Sequence, residues 1–495
     1  MKTKICVVLL AFWLAGCNDF LKESSQDEIR PSTVTDLEEI LLGDGYLDDY
    51  GIYNLTDILT DNIQCNGMLS ESVKSYFEER EWLFRWEDDM FAASGGGNNP
   101  NFWEVPYKGI GTCNVILDML DRMYGETEQR ESVRGEVLAL RAWYYFQLVN
   151  FFGYPYNYGD PAKNLGVPLK LDSDVTDERF PRNSVAEVYL QIVADLLEGN
   201  RLLTKYDFKR DYFRIGHLAV KAMLSRVYLY MEDWDKALAY ADSVLQVKPG
   251  LLDLNRFGVP DLDAESRFIT VYGPTTPDEI IWAREYHATN AGSPVGGKKY
   301  PYTISREFLD LVGSSYDACK DRTLKDLRGA YYFSWGNDYD DWMTPMYPLG
   351  FAKDYWYGKY QGIRTAEMYL NRAEAYARKF QKEGNDTYRI KALNDLNELR
   401  KYRLNNAFEV QPLEVADAQM LIDLCLQERR KELSGEMNHR WFDLRRNGMP
   451  ELSHFFFTDP AEGKVEYKLN KNGYLLPIPE EAIRLNTKLE QNDRK

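Results

Sequence analysis

Histidine is scarce, with four in 495 residues. His217, His287, His439 and His454 stand far apart, so no pair has the spacing of a metal site. Cysteine is scarce too, with six. The cysteines are scattered, without a CxxC pair or zinc-type spacing. Basic residues are in deficit: 60 Lys and Arg stand against 78 Asp and Glu, a formal net charge of −18. Such a surface repels nucleic-acid phosphates and anionic membranes, so no nucleic-acid partner is expected. A neutral or cationic ligand fits better. No P-loop, dinucleotide fingerprint, HExxH or GxSxG is present. Neither a cofactor nor a metal is expected. A catalytic carboxylate pair stays open only because so many acids are available.

Long apolar runs are also missing, apart from one near the start. LLAFWLAGCNDFLKES ends an apolar stretch at a cysteine, and polar residues follow at once. Lys2 and Lys4 precede the stretch, and Ala15 and Gly16 are small. This is the three-part pattern of a secretory signal. The run is shorter than the roughly 20 residues a spanning helix needs. Leu14-Ala15-Gly16-Cys17 resembles the bacterial lipobox, which implies cleavage before Cys17 and lipidation of Cys17. Two or more acyl chains hold a protein stably at a membrane. Of the remaining cysteines, Cys113 and Cys425 fall in helical patterns and read as small core residues.

What is present is helical period. Val133, Val137, Leu140, Tyr144, Leu148 and Phe151 recur at helical spacing, as do Val185, Val188, Tyr189, Ile192 and Leu196. HLAVKAMLSRVYLYMEDWDKALAYADSVL looks like a tetratricopeptide unit, with Ala219, Ala222 and Ala237 allowing close approach. RTAEMYLNRAEAYARKF, with the helix after Gly384, makes a second. Residues 248–360 carry Gly, Pro, Asp and aromatics with little period, and ITVYG (269–273) and EIIWARE (279–285) read as short strands. The expected fold is mostly α: a tetratricopeptide-like helix-pair scaffold with a loop-rich, aromatic-rich lobe containing a few short strands. The expected division is a signal peptide (1–16), an N-terminal region of helix pairs (17–247), a loop-rich ligand-binding lobe (248–360) and a C-terminal region (361–495).

Aromatics are in excess, with 35 Tyr and 11 Trp. They crowd into 331–360 and into EREWLFRWEDDMFAASGGGNNPNFW. Aromatic rings among Asn and Asp suit sugars: a ring covers the C–H face of a pyranose while amides and carboxylates bind its hydroxyls. Most rings in such a stretch still fill a core. Trp82, Trp86, Trp335, Trp342 and Tyr347 are the ligand candidates, since Gly, Asn, Asp or Pro lie near most of them. Trp103 begins a helix pattern and reads as structural. Asn337–Asp341 offers oxygen ligands but lacks the EF-hand glycine and glutamate, so it reads as a solvated turn.

Several motifs together resemble the SusD/RagB family of outer-membrane lipoproteins. NFWEVPYKGIGTCN carries a W-x-x-x-Y-x-x-I-x-x-x-N element in Trp103, Tyr107, Ile110 and Asn114. ALRAWYYFQLVNFFGYPY resembles the family's long helix. ERRKELSGEMNHRWFDLRR resembles its C-terminal signature, with Glu428, Arg429, Glu432, Leu433, Glu436, Arg440, Trp441, Asp443, Leu444 and Arg446. YLLPIPEEAIRLN resembles the closing element. Read from its residues alone, the signature is an ionic network whose Arg and Glu can pair at i,i+4, with Trp441 and Leu444 towards the core. The resemblance implies four tetratricopeptide units and a glycan-binding lipoprotein on the cell surface. It also implies a partner, a SusC-like TonB-dependent transporter, over which the protein sits as a lid. Some relatives take up peptides or other nutrients, so that alternative stays open. A surface glycan hydrolase and a scaffold that binds only proteins rank lower.

Overall fold

The computed structural model describes residues 31–47, 55–68, 71, 74–91, 102–206, 208, 211–259, 272, 277–286, 301–336, 347–351, 359–459, 461 and 463–494. Helices dominate. Helix α1 spans Val34–Ile40 and runs on into one π turn, Leu41–Gly45. Then come α2 (Lys74–Phe84), α3 (Glu104–Met119), α4 (Thr127–Phe152), α5 (Val185–Lys205), α6 (His217–Tyr230), α7 (Trp234–Leu245) and α8 (Arg306–Val312). Helices α9 (Thr365–Glu383), α10 (Asp386–Lys401), α11 (Ala418–Leu433) and α12 (His439–Arg446) complete the scaffold.

The helices start where side chains satisfy free amides. Thr33 and Asp36 form a capping box at α1, and Ser184 and Glu187 form one at α5. Asp233 caps α7 by accepting from the Lys236 amide at 3.2 Å. At the end of α9, Gly384 takes the left-handed conformation (φ 67°) that stops a helix.

Neighbouring helices pack in succession: α3 on α4, α4 on α5, α5 on α6, α6 on α7. Helix α9 then packs on α7, α10 and α11. The α6–α7 pair is the tetratricopeptide-like unit read from the sequence. Ala219, Ala222 and Ala237 are buried in it, and Ser225 Oγ donates to the Ala237 carbonyl at 3.1 Å. Cys65, Cys113, Cys319 and Cys425 are unpaired and buried. None of the described helices is long and apolar enough to cross a membrane.

Among the described residues, eight short strands form four antiparallel pairs. Strand β1 (Ile63–Cys65) pairs with β3 (Tyr302–Ile304), and β2 (Ile280–Tyr286) pairs with β6 (Lys359–Arg364). Strand β4 (Phe333–Gly336) pairs with β5 (Tyr347–Phe351), and β7 (Leu452–Phe456) with β8 (Val465–Leu469). The strand expected at 279–285 is β2, one residue later. Most of 269–273 lies outside the described residues, and Tyr272 is in a bend.

The C-terminal signature differs from its helical i,i+4 reading. Its charged side chains are nearly all buried, and their main partners come from other elements. Glu432 accepts from Arg403 at 2.9 Å through each oxygen, from Arg364 at 3.1 Å and from the Tyr332 hydroxyl at 2.9 Å. Glu436 is bidentate with Arg364, at 2.8 and 2.9 Å. Arg446 grips Glu374 at 2.6 and 2.7 Å and Asp443 at 2.8 Å, while Arg429 also holds Asp443. The i,i+4 reading failed because these ends face the core, where an unpaired charge is costly and every neighbour must supply a counter-charge. Trp441 and Leu444 are buried as expected, with Trp441 stacked on Tyr474 at 4.9 Å.

Candidate functional site

The lobe that carries the candidate rings is built around the β1–β3 ladder. Tyr302 of β3 stacks on Phe77 at 5.9 Å and meets Phe84 at 5.0 Å, so helix α2 lies against the ladder. The Tyr302 hydroxyl donates to the Phe77 carbonyl at 3.3 Å. Strand β5 contacts β3 from the β4–β5 hairpin. Under that hairpin, Phe308 of α8 meets Phe333 edge-on at 5.7 Å and Phe351 at 6.4 Å. Thus two aromatic-rich stretches more than 200 residues apart in sequence flank one ladder.

The candidates occupy different positions around it. Trp82 is half-buried on α2, with the Arg85 guanidinium 4.9 Å from its ring centre. Trp86 is a core ring: it is 7% exposed, stacks on His454 at 4.0 Å and donates its indole N–H to the Leu59 carbonyl at 3.0 Å. Its backbone is left-handed (φ 58°), a strained choice for a bulky residue. The Arg494 guanidinium donates to its carbonyl at 3.1 Å and helps to fix it there. Burial and committed polar groups leave Trp86 little surface for a ligand. Trp335 stands opposite Pro348 in the β4–β5 register, and Tyr347 opposite Gly336. Trp342, the glycine-rich segment 94–99 and the acidic turn 337–341 lie outside the described residues. Trp103 sits at the start of α3 and packs on Phe152 at 4.9 Å, as a structural ring should.

One group of residues escaped the sequence reading. The Arg85 guanidinium also lies 5.1 Å from the Phe456 ring and 5.5 Å from the Tyr467 ring. Tyr467, half-buried on β8, thereby joins Trp82 around one cation. No local signal could have linked a tyrosine in a polar C-terminal strand to α2.

Titratable groups near the lobe are structural. His454 lies between the Phe84 and Trp86 rings, each 4.0 Å away. Burial pushes its imidazole down to about 4, outweighing the pull of the Phe84 and Thr60 carbonyls. Burial likewise raises the Cys65 thiol. Among the described residues no His, Cys, Asp and Glu group is arranged to hold a metal ion.

A helical scaffold with an aromatic-rich lobe built over short strands defines a class of non-regular tetratricopeptide-like proteins. Two family models match: one described as "Starch-binding associating with outer membrane" over residues 19–229, and the SusD family over residues 352–494. The chain belongs to the SusD/RagB family, whose members are outer-membrane-associated and bind carbohydrate. Solved structures share the fold. A SusD superfamily protein from Bacteroides thetaiotaomicron is 23% identical, with a TM-score of 0.67 over 93% of this chain and 100% of that one. A SusD-like carbohydrate binding protein from Bacteroides vulgatus is 21% identical, TM-score 0.64, over 92% and 97%. A laminarin binding SusD-like protein is 18% identical, TM-score 0.59, over 93% and 99%. No curated protein matches the chain.

Proposed function

We propose that this protein captures an oligo- or polysaccharide at the outer cell surface and passes it to a TonB-dependent transporter, acting as the lid of that transporter. Lipid attached to Cys17 would hold it at the outer membrane, facing the exterior. Tethering would keep its effective concentration beside a membrane partner high. Family membership supports a glycan ligand. The observation that carries the reading is the packing of α2 and the β4–β5 hairpin against one ladder, which gathers the two aromatic-rich stretches into one lobe. Trp82, Trp335, Trp342 and Tyr347 are the rings proposed to meet the sugar, with Tyr467 added by its place beside Arg85. Trp86 would support them from the core. The reading assigns the chain no chemistry of its own, so the glycan leaves unbroken.

The test is affinity electrophoresis of a soluble form starting at Asn18 against a panel of polysaccharides, with chromatography of the same mixtures. Retention by one glycan without soluble products is expected. Alanine at Trp82, Trp335, Trp342 or Tyr347 should weaken retention by about tenfold where the ring stacks on sugar. Retention by no glycan would move the reading to a peptide or another nutrient. Soluble products would make the protein a hydrolase.

A further inference from the structure

A cleft of about 390 Å³ opens beside the ionic cluster, between the end of α8, the 323–326 turn, α10 and α11. Its volume is within the range of small-molecule sites, roughly 300–1,000 Å³. Leu404, Leu413 and Leu424 give the wall an apolar part. Lys325, Arg400 and Lys431 also line it, together with Asp326 and Glu428.

The hydrogen bonds of that wall do not balance. Both oxygens of Asp326 accept from Arg328, at 2.9 and 2.7 Å. Glu428 accepts from Arg328 at 2.9 Å through one oxygen and from Lys431 at 3.2 Å through the other. The carboxylates are therefore engaged. The donors are not. Arg400 is half-buried, and only its Nη1 is engaged, by Asn397 Oδ1 at 3.1 Å and the Gln411 carbonyl at 3.3 Å. Among the described residues its Nε and Nη2 have no acceptor, and it forms no ion pair. Lys325 is exposed and its ammonium has no partner among the described residues. Most other arginines held in the core clamp a carboxylate or several carbonyls, as Arg226, Arg364 and Arg403 do the former and Arg182 the latter. A guanidinium presents five N–H groups and accepts nothing, so the spare donors of Arg400 are open to an acceptor that enters the cleft. Burial pulls the Arg400 guanidinium below the ordinary arginine value, with Arg328 adding to it and Glu428 and Asp326 opposing it.

We propose that this cleft is a second ligand site, which takes a small organic carboxylate through Arg400, Lys325 and Lys431. Arg400 supplies the planar fork that suits a carboxylate. The two ammonium groups add charge, and the three leucines cover the carbon skeleton. The cleft shares no lining residue with the candidate rings, and the proposal does not depend on the glycan reading. The carboxylate can belong to a sugar acid or to a simple aliphatic acid.

Calorimetry of the purified mature chain with glucuronate, glucose, butyrate and inorganic sulfate tests it. Glucuronate should bind and glucose should not. Arg400→Gln should weaken glucuronate by about tenfold, as loss of a charge-assisted pair does. Lys325→Gln lies at the surface, should melt as the wild type does, and should weaken binding by about threefold. Trp82→Ala should leave it unchanged. Binding of butyrate as well identifies a general organic-acid site, and glucuronate alone identifies a sugar-acid site; both support the proposal. No binding of either acid overturns it, as does binding that Arg400→Gln and Lys325→Gln leave intact. Sulfate bound as tightly as glucuronate overturns the carboxylate assignment. Glucuronate binding lost in Trp82→Ala but not in Arg400→Gln places that ligand in the aromatic lobe and overturns the cleft.

Discussion

Removal of one carboxylate tests how the buried charges are held. Glu432 neutralises Arg403 and Arg364 at once, and Glu432→Gln would leave part of their charge uncompensated in the core. Breaking such a buried pair typically costs about 3–5 kcal/mol. Urea unfolding of Glu432→Gln should show a loss of that order, with the unfolding slope unchanged. A second test uses pH. His454 is held neutral, at about 4 against an ordinary 6.5. The unfolded chain therefore binds this proton more readily than the native one. The stability it contributes is whole above about pH 6.5 and falls as pH drops towards 4. Burial would raise the carboxyls of Glu374 and Glu428, but Arg446 and Arg328 outweigh it and hold both at about 2. Their contribution is whole above about 4.5 and is lost as pH falls through 2. Thermal melts should thus decline in two stages on acidification. His454→Phe should flatten the stage between pH 6.5 and 4 and leave the lower one. At this scale the sequence marked the right residues in the signature but not their partners. Trp86 shows the same gap: its neighbours in sequence, Glu87 and Asp88, look like surface, yet its contacts, Leu59, His454 and Arg494, are remote.

Helices were legible as elements because burial recurs along them at a fixed spacing. The α6–α7 unit could be read from its alanines and its turn, since both are local. The strands were harder. They are short, and two of the four pairs draw their partners from distant segments, β1 from β3 and β2 from β6. Their stability comes from close packing. Gly362 of β6 faces Ala283 of β2, where an added Cβ would collide with the Trp282 carbonyl oxygen. Backbone cannot step aside as a flexible side chain can. Gly362→Ala should therefore cost at least about 2 kcal/mol, while Gly384→Ala, in open space but at positive φ, should cost about 1. Comparison of the two melting temperatures checks this. The tail is held by partners that no local pattern marks. Asn492 donates to the Phe152 and Leu476 carbonyls, at 2.9 and 2.8 Å, and Arg182 donates to Asn492 at 2.8 Å. These bonds stitch the last residues to the end of α4, across more than 300 positions.

At the scale of the whole molecule, the anchor is an expectation of its own. Mass spectrometry of the mature chain should find an N-terminal Cys17 carrying acyl chains. Cys17→Ala should leave the membrane fraction, because the rest of the chain offers no described apolar helix to hold it. The sequence by itself determined the helical scaffold, the family and the aromatic excess. Each is written locally, in a period, a motif or a composition. Tertiary structure decided which rings are core and which remain candidates, which charges meet, and that α2 and the β4–β5 hairpin share a ladder. Those outcomes depend on contacts between residues hundreds of positions apart. Burial is a property of the folded whole: a tryptophan beside polar neighbours becomes core or surface only when distant segments close over it or leave it open.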